Sequence, residues 1–484
     1  MTSSTFSDEK KEPCAPPATF VIAGGGIVGL VLALAIKKHL GVTPEIYEKA
    51  HGFAEDVGAA LGLYPNGLRV LRDIDLELLQ ALREAGYPYL YRIWEKQDGT
   101  KVAEAKEDVL AGGEEELYSI GIKRWRLQDV LYQAVAKANI PIYFEKAVED
   151  VVELIGEDDE EGHVEVFFAD GTRRRTQVLF GVDGGKSQVR RVFASSKMKL
   201  ECTGVTCLMG TATCPEQQHG IHFPSSVTSN FHAVYFPVGK NEQCFQIHFP
   251  VSAEDSDKRD WGNLSKVEGR YQFEKIAQHM IADGWDKQYT EPLYRVEHAV
   301  RVRFALLNPR LDRWVYGRRR RVVLVGDAAH PPVPYTGQGA QMGVEDAGTL
   351  VLLLKGLCYD EESGKLNLRN FGKATAIYEK LRIPRTSKIL DCSKSMGNKH
   401  ERRSQVATGD FENLMIRGEV IMDDTLEEML PGATFNYAHE VRRALKREAK
   451  RHGSRSSSSL SSAPSRDQMN EALEMLWGGT MPFV

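Results

Sequence analysis

No two cysteines in this chain form a CxxC pair, although seven are present, at 14, 202, 207, 214, 244, 358 and 392. An odd, scattered set of thiols argues against a disulfide scaffold and a zinc site, and it fits a reducing compartment. Long apolar runs are also missing. The longest, such as Ile27 to Ile36 and Leu350 to Leu354, fall far short of the ~20 residues that span a bilayer. The first 18 residues, MTSSTFSDEKKEPCAPPA, carry charges and prolines where a secretory signal needs an apolar core. Positive charge is not in excess either: 62 Lys and Arg stand against 67 Asp and Glu, a formal net charge of −5. That balance supplies no global field for nucleic acid phosphates. What remains is a soluble protein, expected in the cytoplasm and without a nucleic acid partner.

The 484 residues are 42% hydrophobic and 27% charged, which is enough for two or three structural units around a sizeable core. Thr19-Phe-Val-Ile-Ala23 reads as a buried parallel strand because it is short, β-branched and aromatic, and three glycines end it at once. Apolar positions then run from Ile27 to Leu40 with Gly41 as a stop, and Glu45 to Glu48 forms a second short strand. The three pieces make a βαβ unit. Helical spacing recurs over 68–85 and 127–138, and strands are predicted at 142–144, 164–168 and 178–182. Between Cys202 and Arg303 the pattern turns strand-like, with a helical interlude over 271–282. Arg321 to Val325 is another buried strand, and a helix follows over 342–357. Residues 453–466, GSRSSSSLSSAPSR, cannot bury apolar surface and read as a flexible linker.

Gly24-Gly25-Gly26-Ile27-Val28-Gly29 satisfies GxGxxG directly between a strand and a helix, and Glu48 ends the next strand 19 residues beyond Gly29. This is the context a dinucleotide fingerprint requires. Gly24 permits the tight turn, Gly26 lets the backbone approach a pyrophosphate at the helix N-terminus, and Gly29 lets helix and strand pack. Glu48 would accept hydrogen bonds from a ribose and disfavours a 2′-phosphate, which points to FAD or NAD. A second glycine-punctuated loop, Pro334-Tyr-Thr-Gly337-Gln-Gly339-Ala340, follows the strand 321–325 and Gly326-Asp327. An NAD-only domain has no use for such a distant loop. An elongated cofactor such as FAD does.

At these residues the chain resembles the single-component FAD-dependent monooxygenases of the p-hydroxybenzoate hydroxylase fold, in their fungal salicylate-hydroxylase-like branch. The likeness runs from about Phe20 to Arg385. It is carried also by Gly181-Val-Asp183-Gly184-Gly-Lys-Ser187-Gln-Val-Arg190, Gly326-Asp327-Ala-Ala-His330, Gly58 to Asn66, Arg124-Trp-Arg-Leu127 and YEKLRIPR over 378–385. A second GxGxxG is missing, which separates the chain from two-Rossmann disulfide reductases.

The resemblance implies an α/β fold in which a Rossmann-type FAD-binding domain carries an inserted, mostly antiparallel β-sheet substrate domain and a C-terminal helical region. On this reading residues 1–18 are a disordered N-terminus, and 19–201 and 304–358 make the FAD-binding domain. Residues 202–303 make the substrate sheet, 359–452 the helical region, 453–466 the linker and 467–484 a tail. The resemblance further implies that Glu48 holds the ribose, Arg124 the pyrophosphate or ribityl region and Asp327 the ribityl hydroxyls. Ala60 and Ala340 would line the flavin, with Pro334, Gly337 and Gly339 shaping the loop. Asp183 would serve FAD and the transient NAD(P)H. Tyr235 falls where related enzymes place a substrate-side tyrosine and is the expected catalytic residue, with His232 and His248 as runners-up. The implied reaction uses NAD(P)H and O₂ to hydroxylate a small aromatic or epoxidise an alkene through a flavin C4a-hydroperoxide, in secondary metabolism. A reductase or oxidase of the same fold, or a non-catalytic FAD-binding sensor, is the alternative.

Overall fold

The computed structural model describes residues 16–53, 60–106, 117–154, 162–194, 198–214, 219–226, 228–229, 231–250, 262–403 and 435–453. The expectations for residues 1–15, for Gly58 and Ala59, and for the linker and tail beyond Gly453 lie outside them.

Two large sheets organise the chain. In the first, the strand order is Val315–Tyr316, Val322–Leu324, Arg173–Gly181, Ala18–Ala23, Glu45–Tyr47 and Ile142–Tyr143, with Val148–Leu154 and His163–Phe168 attached alongside. Its central strands are parallel, and the register aligns Ala23 with both Tyr47 and Gly181, and Gly181 with Leu324. The helix Ile27–Leu40 has no polar face because it is covered on several sides. It packs on this sheet, on the helix Arg124–Lys137 and on the helix Gly339–Cys358, and nine of its residues are buried. This is why its apolar positions continue without a helical period.

The second sheet is ordered Gly262–Asn263, His298–Asn308, Lys199–Thr213, Glu242–Pro250, His232–Gly239, Gly220–Ser225, Tyr91–Lys96 and Lys101–Lys106. It therefore reaches beyond 202–303 and recruits two strands from within 19–201. One face is covered by the helix Lys266–Ala282, whose Phe273, Ile276, Ala277 and Met280 pack on Leu208, Phe245 and Ile247. The other face turns toward the first domain, where Val205, Cys207, Val302 and Phe304 pack on Val333. The helical expectation over 68–85 resolves into two helices, Pro65–Ile74 and Leu76–Ala85. Asp75 breaks them, its extended backbone and side chain capping the second helix through the Glu77 amide at 2.9 Å.

Candidate active site

Because the parallel strands end in register, four sequence-distant segments emerge side by side at one edge of the first sheet. They are Gly24 to Gly26 after Ala23, Glu48 after Tyr47, Val182 to Gly185 after Gly181, and Val325 to Asp327 after Leu324. Ligands of open α/β sheets bind outside the carboxyl ends of the strands. Gly24 sits at φ +114°, a conformation that side chains rarely adopt, and a Cβ there would come within 2.5 Å of the Val182 carbonyl oxygen. A Cβ on Gly29 would collide with the Gly24 carbonyl oxygen, so this glycine sets how closely the helix can approach the turn.

Glu48 is fixed rather than free to swing: its carboxylate accepts the Gly25 amide at 2.7 Å and the Ala50 amide at 2.9 Å. Arg124 opens the helix Arg124–Lys137 and is open to solvent. Crowding by protein lowers its guanidinium pKa, against the opposing charges of Asp327 and Glu48. Asp327 is likewise solvent-accessible yet ringed by protein, as expected of a side chain at the floor of a cleft. Desolvation raises its carboxyl above the ordinary carboxylate range, while His330 and Arg124 pull against that rise.

Asp183 uses one carboxylate oxygen to cap the helix Gln188–Phe193, accepting the Gln188 and Val189 amides at 2.6 and 3.1 Å. Its other oxygen is buried without a hydrogen-bond partner among the described residues. Arg190 ties the two aspartate loops together. It donates to the Ala328 carbonyl at 2.7 Å and to the carbonyls of Asp327 and Gly185.

At the other end, Pro334–Thr336 makes a single tight turn, Gly337 takes φ +64°, and the helix Gly339–Cys358 begins. Ala340 lies in its first turn, and Tyr64 packs so closely under Gly337 that no side chain fits. Ala60 starts the short strand Ala60–Leu63 and packs with Tyr64, Tyr89, Phe236 and Cys244, where the first domain meets the second sheet. Behind this loop lies a buried charge cluster that sequence reasoning missed. Glu345 and Asp346 bind Arg382, Arg385 also binds Glu345, and Asn66 donates to Glu345 at 2.7 Å and to Gln338 at 2.9 Å. Asp346 reaches the Gly326 amide at 3.0 Å and His330 Nε2 at 2.5 Å, so the cluster braces both loops at once. The only sequence signal was the YEKLRIPR segment, whose helical spacing puts Arg382 and Arg385 on one side of the long helix Phe371–Arg403.

Tyr235 lies on the opposite face of the second sheet from Val333. It faces the helix side of the second sheet, is 1% exposed, lies among Phe245, Phe273 and Tyr289, and spends its hydroxyl on the Tyr289 carbonyl at 2.7 Å. Burial drives its phenol far above the usual range. On this placement we propose a structural rather than a substrate-side role for its hydroxyl. Tyr235→Phe is therefore expected to keep FAD content and the coupling of NAD(P)H to product at wild-type levels, at a cost of about 1 kcal/mol in urea unfolding. Raised hydrogen peroxide leakage in that variant would restore a catalytic role.

The face turned to the flavin loop carries His248 instead. Its ring meets Phe304 and Tyr335 edge-on, at centroid distances of 5.3 and 6.0 Å. Burial lowers its pKa to about 4, so it is neutral at physiological pH. His232 pairs with Ser225 at the strand margin. Half-buried Met209, Val234, Val300, Phe223 and Trp94 belong to the same face, and the last two rings stack at 5.6 Å.

FAD fits these residues. Open space surrounds Gly26 where a pyrophosphate would approach, one Asp183 oxygen is unclaimed, and Arg124 and Asp327 are both exposed and near enough to interact electrostatically, so they could reach the middle of the cofactor. The fold and the site together define a two-domain, FAD-binding α/β oxidoreductase. The family described as FAD binding domain matches residues 18–366, and the chain belongs to it, as an FAD-dependent monooxygenase of the p-hydroxybenzoate hydroxylase fold.

Among its relatives, FAD-dependent monooxygenase penM of Penicillium crustosum is 25% identical over 431 residues, covering 82% of this chain and 81% of that protein. The 6-hydroxynicotinate 3-monooxygenase of Pseudomonas fluorescens is 27% identical over 381 residues, covering 76% and 88%. Among solved structures, CtdE in complex with FAD and substrate 4 superposes with a TM-score of 0.70 at 17% identity, over 90% of this chain and all of that one. Klebsiella pneumoniae HpxO with FAD and uric acid gives 0.64 at 19% identity, over 82% and 96%.

Proposed function

We propose that this monooxygenase holds FAD along the sheet edge, with Glu48 on the ribose and Gly24, Gly26 and Gly29 beneath the pyrophosphate. Arg124, Asp183 and Asp327 serve the middle of the cofactor, and Pro334, Gly337, Gly339, Ala340 and Ala60 frame its ring. The bound flavin, reduced by NAD(P)H, supplies the electrophilic oxygen derived from O₂. The chain's own work is to orient the acceptor and keep water away from it. The observation that carries this reading is that the largely apolar inner face of the second sheet abuts Val333 and Tyr335 of the flavin loop. The acceptor space therefore borders the loop that frames the ring. The reading favours a small aromatic or alkene substrate of secondary metabolism, hydroxylated or epoxidised. The relatives' names as FAD-dependent monooxygenases and a 3-monooxygenase of a pyridine acid support the reaction type. The described cysteines at 202, 207, 214, 244, 358 and 392 form no disulfide, which suits a reducing cytoplasm, and no described helix is long and apolar enough to cross a membrane.

Purified protein should be yellow and release FAD, not FMN, on denaturation. Asp327→Ala and Arg124→Ala should each weaken flavin binding by about 10- to 100-fold, the equivalent of about 1.5–3 kcal/mol for a hydrogen bond to a charged group. A fluorescence titration of apoprotein with FAD reads this directly. Wild-type dissociation constants in both variants would remove these residues from the site.

A further inference from the structure

The helix Tyr437–Gly453 docks on the back of the FAD-binding domain, away from the sheet edge. Tyr437, Ala438, Val441 and Leu445 form its buried stripe. Tyr437 packs against Gly348 and Val70 and donates its hydroxyl to Asp73 at 2.9 Å, and Leu445 packs against Gly356. With the apolar side fully used, the opposite side is held outward as a rigid surface. Every exposed residue between 439 and 451 is His, Arg or Lys: His439, Arg443, Lys446, Arg447, Lys450 and Arg451. At 100° per residue these positions fall in one continuous arc. The helix has two carboxylates, both half-buried and already paired. Glu440 meets Arg443 at 2.9 Å, and Glu448 meets Lys373 at 3.2 Å and Arg451 at 3.6 Å.

We infer that this face adsorbs the enzyme onto bilayers containing anionic phospholipid. The local charge contrasts with a chain whose net charge is −5, so the attraction belongs to one side and orients the molecule. A planar array of cations on a single helix matches a plane of headgroups. The arc offers no Phe, Tyr or Trp ring of the kind on which single-stranded nucleic acid grooves stack bases. Because the apolar stripe is committed to the core, the helix does not insert. Binding is electrostatic and fades within a Debye length. The inference is independent of the flavin site, which lies at the opposite side of the helix Gly339–Cys358.

The test is co-sedimentation of the full-length, FAD-loaded protein with vesicles of phosphatidylcholine alone or mixed with phosphatidylserine. Wild type should pellet with the mixed vesicles at low salt, stay soluble with phosphatidylcholine alone, and be released in about 0.5 M NaCl. The variant combining Lys446→Glu, Arg447→Glu and Lys450→Glu should lose binding about tenfold or more while keeping wild-type FAD content. Glutamine at the same three positions should lose less, and it serves if the glutamate variant folds poorly. Wild-type partitioning in the charge variants, salt-insensitive binding, no pelleting by wild type, or displacement from vesicles by RNA would each overturn the inference.

Discussion

Replacing Arg382 with methionine should cost about 3–5 kcal/mol of stability, because breaking a buried ion pair strands its partners. Arg382 is fully buried and donates Nε to Asp346 at 2.6 Å, one terminal nitrogen to Glu345 at 2.6 Å and the other to the Met342 carbonyl at 3.1 Å. Burial alone would raise both carboxyls. Arg385 and Arg382 nevertheless hold Glu345 below its usual range, and His330 and Arg382 do the same for Asp346. A carboxyl depressed in the folded state stabilises above its unfolded value, near 4.5 for Glu345 and 3.8 for Asp346. That contribution disappears as pH falls through the depressed folded values. Without Arg382 the carboxyls rise, so the difference between variant and wild type should be largest at neutral pH and shrink toward about pH 4. Urea unfolding at several pH values measures both. A variant within about 0.5 kcal/mol of wild type at neutral pH would show that the cluster does not brace the loops.

Gly29→Ala should leave the protein almost devoid of FAD. The added methyl collides with the Gly24 carbonyl oxygen, and Gly24 cannot retreat: its amide donates to the Tyr47 carbonyl at 2.8 Å and its α-carbon faces Val182. Overpacking typically costs 1–3 kcal/mol, occasionally more, and here it displaces the turn meant for the pyrophosphate. Gly262→Ala, where a Cβ meets nothing within 4 Å, is the matched control and should retain flavin. Absorbance of the purified proteins near the flavin band decides the comparison. Equal FAD content in the two variants would sink the assignment of the turn.

Local features were legible from the chain. The strand Ala18–Ala23, the glycine turn and the helix Ile27–Leu40 lie within 25 residues and carry their own start and stop signals. Facing was not. The second sheet is covered on both sides, so both alternating sets of a strand such as His232–Gly239 are apolar or aromatic, and period two cannot say which set meets the flavin loop. The expectation for Tyr235 rested on a facing that the strand pattern cannot supply. The strands Tyr91–Lys96 and Lys101–Lys106 were missed because YRIWEK and KVAEAK are each half charged, and the outer one lies at the sheet edge, which tolerates charge. The Glu345, Asp346 and Arg382 cluster stayed hidden because charged residues in helices ordinarily mark solvent.

The order of strands in the first sheet also has a consequence for biosynthesis. Ala18–Ala23 gains one parallel neighbour at once, Glu45–Tyr47, but its other, Arg173–Gly181, comes much later, and that strand in turn pairs with Val322–Leu324. The helix Ile27–Leu40 has to wait for Gly339–Cys358 to cover its outer side. A ribosome adding about 5–20 residues per second needs roughly 15–60 s to make the intervening stretch. Throughout that interval the nascent chain carries an almost wholly apolar helix whose outer side has no permanent cover, a natural client for chaperones that bind hydrophobic segments during translation.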